Sequence, residues 1–158
     1  MAISFDTNHK PVIGEAEQLE DDLVVITADN ASPMTFTGTR TYILGTENLI
    51  VIDPGPNSEA HLSSIMKYIG KRKVTDILLT HSHIDHSPLS RQLKTETGAR
   101  IIGFGSADEA RTSFMKKLSS SLDLGGEEGI DKDLVLDKKV SEKQMLKLNN
   151  YSIEVVHT

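Results

Sequence analysis

The sequence contains no cysteine. That absence removes disulfide frameworks, cysteine nucleophiles and thiolate metal sites together, so any metal must sit on His, Asp and Glu. Also missing is any run near the roughly 18 apolar residues a membrane-spanning helix needs. Met1 to Asp6 lack the charged start and apolar middle of a secretory signal peptide, and a cytoplasmic address is expected. Positive charge is scarce: 17 Lys and Arg against 23 Asp and Glu give a formal net charge of -6. This balance supports solubility and disfavours coating of nucleic acid through bulk charge. The one tight basic cluster, Lys71, Arg72 and Lys73, reads as a solvated loop between a helix and a strand.

What is present is 158 residues, 37% hydrophobic and 25% charged, the composition of one globular domain. There is no internal repeat. Residues 106–133 are the one biased stretch, with Ser119, Ser120, Ser121, Gly125, Gly126 and Gly129 in its second half, and read as a mobile insertion.

Elsewhere short apolar runs alternate with helical patterns, the mark of an α/β domain. Residues 41–44 and 49–53 flank the turn Gly45, Thr46, Glu47, Asn48, so they form two antiparallel strands with Asp53 at a strand end. Leu62, Ile65, Met66 and Ile69 recur at helical spacing and Gly70 stops that helix, giving a span of about 58–69. Residues 74–80 hold Ile77, Leu78 and Leu79 in succession, a strand covered on both faces. Ser87 as N-cap and Pro88 as first helical residue predict a helix over 88–97, with Gly98 ending it. Strands are further predicted at 100–103, 134–136, 145–148 and 151–156, with Ile153 and Val155 on one face.

Of six histidines, three fall within six positions directly after the most apolar strand, in Thr80-His81-Ser82-His83-Ile84-Asp85-His86. Three imidazoles repel one another when protonated, whereas a divalent ion removes the conflict. Imidazole and carboxylate are the ligands that zinc, iron and manganese accept when thiolate is absent. Metal binding is therefore predicted at His81, His83, Asp85 and His86. His9, His61 and His157 are isolated in sequence and read as surface or packing residues. A His-x-His after an apolar strand also opens amidohydrolase barrels, but a closed eight-stranded barrel needs about 250 residues.

The segment resembles the His-x-His-x-Asp-His signature of the metallo-beta-lactamase superfamily, and within it the glyoxalase II-like and lactamase-like endoribonuclease branch. Gly38-Thr39-Arg40-Thr41-Tyr42 is similar to that branch's Gly-Thr-Asn-Thr-Tyr segment, and Ile52-Asp53-Pro54-Gly55 to its Asp-bearing turn. Arg40 replaces the Asn, and Pro88-Leu89 stands where a Gly-Gly pair is common. The resemblance implies an α/β fold of the metallo-beta-lactamase αβ/βα sandwich type, with this chain, 1–158, as its first αβ half. It implies that His81 and His83 bind a first metal, and that Asp85, also the catalytic carboxylate, binds a second with His86. Asp53 would stand behind them, holding the ligand loop by hydrogen bonds; read from the residues alone, it equally caps a turn before Pro54. The ions implied are two divalent metals, zinc or alternatively iron or manganese, sharing a hydroxide that attacks a carbonyl or phosphorus centre. Val156-His157-Thr158 is not the family's Gly-His-Thr run, so the ligand set within this chain is incomplete and a truncated domain is expected.

Two functions follow as expectations. The first is a metal-dependent hydrolase of a small ester, a thioester or an RNA phosphodiester, with the activity belonging to a longer parent. The second is a non-catalytic half-domain that binds metal weakly or docks a partner. The apolar runs 49–52 and 77–79 need cover on both sheet faces while two helices shield one, so self-association through the open face is expected.

Overall fold

A computed structural model of the chain describes residues 9–105 and 129–157. Its frame is a seven-stranded mixed sheet. Strands β1 (Ala16–Glu20), β2 (Leu23–Thr27), β3 (Arg40–Leu44) and β4 (Asn48–Ile52) pair antiparallel in chain order. Strands β5 (Lys73–Leu78), β6 (Arg100–Gly103) and β7 (Lys138–Lys139) extend the sheet in parallel. Parallel neighbours need a crossover, and helices α1 (Glu59–Ile69) and α2 (Leu89–Thr97) supply it between β4, β5 and β6. A separate antiparallel pair, β8 (Met145–Leu148) and β9 (Tyr151–Glu154), closes the described chain. No helix among the described residues is long and apolar enough to cross a membrane.

Local signals account for the helices. Ser58 Oγ accepts from His61 N at 3.3 Å at the start of α1, Ile65 and Ile69 are buried on its inner face, and Gly70 N–H closes it on Met66 O. Arg72 from the basic cluster donates Nε to Ile69 O at 3.0 Å and lies over the Tyr68 ring, so one of those cations finishes the helix. Ser87 does not cap α2. Its hydroxyl lies 2.9 Å from Asp131 Oδ2, and Pro88 occupies the cap position, where a missing N–H costs nothing.

Alternation along the strands separates two cores. Leu49 and Val51 of β4, Ile77 of β5 and Ile101 of β6 face the helices with Ile65, Ile69, Leu89 and Leu93. Ile50, Ile52, Leu78 and Ile102 point the other way. The second face is not open as expected: Leu146 and Leu148 of β8 bury Ile50 and Ile102 completely, with Tyr151 and Ile153 of β9 beside them. The 145–148 and 151–156 runs are thus a second layer built by the chain itself. Tyr151 OH anchors that layer on Asp22 at 2.7 Å, and Asn149 Nδ2 on Asn48 O at 3.1 Å. Cover thins at Ile52 and Leu78, which stay half-buried.

Three further differences have physical causes. The strand expected at 134–136 forms instead at β7, because Asp137 occupies Ile101: its carboxylate accepts Ile101 N at 2.8 Å and its N–H donates to Ile101 O at 2.9 Å. Leu134 and Leu136 pack on the helix-side core without a ladder. Strands β1 and β2 were not expected. β1 is an exposed edge without apolar alternation, made a strand by its pairing rather than its pattern. Of the expected mobile insertion, 106–128 lies outside the described residues, whereas 129–131 is tied to the signature loop. Ile84 N donates to Gly129 O at 2.9 Å and Asp131 N to Ser82 O at 2.8 Å, around a bridge between His83 and Ile130.

Candidate metal centre

The signature lies just beyond the carboxyl ends of two adjacent parallel strands, β4 and β5, where open α/β sheets bind ligands. Asp53 ends β4 in a left-handed conformation, φ 49°, with its N–H on Leu78 O at 2.9 Å. After β5 the chain runs through Thr80 and His81 to His83, whose carbonyl accepts the N–H groups of His86 and Ser87, each at 3.0 Å. That turn carries the His86 ring back to 4.2 Å from the His81 ring, while His83 packs edge-on at 4.6 Å.

Hydrogen bonding fixes the imidazole tautomers. Asp53 is buried, and its carboxylate accepts Thr80 N at 2.8 Å, Thr80 Oγ1 at 2.5 Å and His86 Nδ1 at 2.9 Å. Having given its one proton to Asp53, the Thr80 hydroxyl must accept from His81 Nδ1, 2.9 Å away. His81 and His86 are therefore both held at Nδ1, and each keeps its Nε2 lone pair for a ligand. His86 Nε2 lies 3.2 Å from Asp85 Oδ2.

Asp85 is fixed from its other side. Thr39 Oγ1 donates to Asp85 Oδ2 at 2.9 Å, and Asn30 holds Thr39 through Nδ2 to Oγ1 at 3.0 Å and Oδ1 from N at 2.8 Å. Gly38 permits this clasp: at φ 120° an added Cβ would lie 2.2 Å from Ala28 O.

Burial, followed by the charges of His86 and His83, pushes the His81 pKa below its ordinary value against the pull of Asp53 and Asp85. Burial opposes protonation of His86 too, but the hydrogen bond and charge of Asp53, with the charge of Asp85, outweigh it and raise that pKa. A ring whose Nε2 faces a carboxylate needs a cation, either a proton or a metal. The donor set fits a divalent ion.

Among the described residues, Asp53, His81 and His86 each offer a ligand atom, all within 4.8 Å of one another. Of the four signature residues that group holds His81 and His86; His83 adjoins it only through its ring against His81, and Asp85 through His86 Nε2. With both of its oxygens accepting hydrogen bonds, Asp53 acts here as the orienting carboxylate. His9 is a half-buried partner of Glu17, and His157 is exposed with its ring 4.4 Å from Phe104. His61 is buried, with Nε2 2.8 Å from Thr41 Oγ1. Sequence reading did not single out Thr39, Thr80 and Asp131, because a hydroxyl or carboxylate that supports another side chain leaves no spacing signal. A largely apolar cavity of about 640 Å³ adjoins His81 and His83, lined in part by Ile52, Leu78, Phe104, Ile153 and Val155.

Comparison with known proteins identifies the family and the fold. The model of the metallo-beta-lactamase superfamily matches residues 34–149. A hydroxyacylglutathione hydrolase, GloC, of Haemophilus influenzae is 31% identical over 111 residues, 70% of this chain and 50% of that protein. An atrochrysone carboxyl ACP thioesterase of Aspergillus terreus is 32% identical over 88 residues, 54% of this chain and 28% of that protein. BJP-1, a subclass B3 metallo-beta-lactamase of Bradyrhizobium japonicum, superposes with a TM-score of 0.63 at 22% identity, covering 96% of this chain and 53% of that one. At that identity the likeness speaks for the fold. Matches cover between 24% and 50% of the relatives' own length, so the chain spans half of them or less.

Proposed function

Since the chain belongs to the metallo-beta-lactamase superfamily, we propose that it carries the metal-binding half of a thioester hydrolase. His81 and His83 hold one divalent ion, and Asp85 and His86 a second, with zinc the first choice and iron or manganese the alternatives. The observation that carries this reading is His86, fixed at Nδ1 by Asp53 and presenting Nε2 to Asp85 at 3.2 Å. Bound there, a divalent ion supplies Lewis acidity, lowering the pKa of a water and offsetting charge on the attacked centre.

The chain's own residues prepare that chemistry. Thr80 and Asp53 set two imidazoles at Nδ1, so the ligand lone pairs are oriented before any ion arrives. Thr39 keeps Asp85 from turning away. The apolar cavity beside His81 and His83 gives an acyl group a place next to the ligands. A thioester is favoured over an RNA phosphodiester because two relatives carry the names thioesterase and hydroxyacylglutathione hydrolase. The low count of basic residues supports the same choice.

The test is metal analysis of the zinc-equilibrated chain, with hydrolysis assays of the longer parent on a glutathione thioester and on single-stranded RNA. Zinc-dependent thioester cleavage that Asp85→Ala abolishes is the expected result. Cleavage of RNA alone overturns the substrate class, and bound zinc without any turnover favours the non-catalytic half-domain. Self-association is the competing use of the cavity. By light scattering, a monomer at roughly tens of micromolar leaves it to substrate, and a dimer assigns it to a second copy.

A further inference from the structure

His61 occupies a position at which an imidazole is a poor choice for packing. It is 3% exposed on the inner face of α1, and its Nδ1 has no hydrogen-bond partner among the described residues. A buried, half-satisfied polar ring costs stability that Leu or Met would not. The other nitrogen explains its presence. Thr41 Oγ1 lies 2.8 Å from Asp53 O, which can only accept, so the hydroxyl proton goes there. The same oxygen lies 2.8 Å from His61 Nε2 and must accept from it. His61 is thereby fixed as the neutral Nε2–H tautomer, at the head of a one-way chain from His61 through Thr41 to the Asp53 carbonyl.

We propose that His61 is a positioning residue for the metal centre, acting through Thr41 on the backbone of Asp53 and so on the orientation of His86. Asp53 sits at φ 49°, a left-handed conformation uncommon for an L-residue, and hydrogen bonds hold both sides of its backbone there. Leu78 O holds its N–H, and Thr41 holds its carbonyl. Only with that peptide fixed do the two carboxylate oxygens reach Thr80 and His86 together. A hydroxyl with one acceptor and no donor can rotate away; the Nε2–H of His61 locks it. Gly55 leaves the ring its space, since a Cβ there would lie 3.0 Å from His61 Cδ2 and 3.1 Å from Nε2. The inference rests on the reading that His86 ligates a metal.

The experiment compares His61→Leu, which removes the donor, with His61→Gln, whose side-chain amide can replace it, and with Thr41→Val. Nitrogen-15 NMR of the imidazoles in the metal-free chain reads the His86 tautomer, and a chromophoric chelator competition reads zinc affinity. His61→Leu and Thr41→Val should each release the Nδ1–H preference of His86 and weaken zinc about 10- to 100-fold. The double variant should lose no more than either single one, and His61→Gln should stay within a few-fold of the parent. If His61→Leu does not fold, Thr41→Val and His61→Gln carry the comparison. An unchanged His86 spectrum with unchanged zinc affinity in these variants overturns the proposal. A parent chain that binds no zinc overturns the metal reading instead, and the His86 tautomer still decides the role of His61.

Discussion

Asp53 Oδ2 accepts from His86 Nδ1 at 2.9 Å, and the imidazole so held turns its other nitrogen to Asp85. A carboxylate at the end of one strand thereby orients an imidazole carried by the loop after the next. The parallel pairing of β4 and β5, Ile52 opposite Leu78, brings the two within reach.

Replacing Asp53 by Ala removes the acceptor of three hydrogen bonds and frees His86 to rotate. Zinc affinity should fall about 10- to 100-fold while the proposed ligands themselves remain. Equilibrium dialysis with metal analysis measures it, and affinity within two-fold of the parent would show that Asp53 merely caps a turn.

Replacing Asp85 by Ala acts differently, because it deletes a proposed metal ligand and not core volume. Turnover of a thioester by an active form of the protein should drop by orders of magnitude, with the melting temperature shifted by only a few degrees. Near-parental activity would be incompatible with a two-ion site.

Leu146 is 4% exposed and lies in the second-face cluster with Ile50 and Ile102. Leu146→Ala should destabilise the fold by about 2–5 kcal/mol in urea titration, as buried leucine truncations do. A loss below about 1 kcal/mol would mean that the β8–β9 layer does not hold the sheet.

The pH dependence of stability follows from His61, which burial holds down at about 4 against an ordinary 6.5. A folded-state pKa below the unfolded one means that the unfolded chain binds more protons between these values. Stability contributed by neutral His61 is complete above about pH 6.5 and is lost as pH falls toward 4, on the order of 3 kcal/mol in all. Urea midpoints measured from pH 7 to 4 should fall steeply for the parent and less for His61→Gln. Parallel curves would place the burial of His61 in doubt.

The sequence made some of this legible and hid the rest for identifiable reasons. The hairpin of β3 and β4, both helices and the β5–β6 pair announce themselves through periodicity and turn residues, and the three crowded imidazoles mark the candidate site. The second-face cover did not follow, because Leu146 and Leu148 alternate as any half-buried strand would and nothing in them says which surface they meet. Asp131 was hidden in a polar, glycine-rich stretch, although its carboxylate takes Ser87 Oγ at 2.9 Å and Arg91 Nη1 at 2.7 Å. His61 lay on the apolar stripe of α1, where a buried imidazole and a packing side chain share one pattern.

The strap of Gly129 to Asp131 against Ser82 and Ile84 bears on the order of events as the chain folds. The six residues from His81 to His86 are contiguous, yet the shape of their loop depends on partners more than forty positions downstream, as in the Ser87 to Asp131 contact with its separation of 44. Closing so long a loop delays such contacts relative to the local turns and hairpins. The signature loop is therefore expected to reach its final form late, after the sheet that carries it.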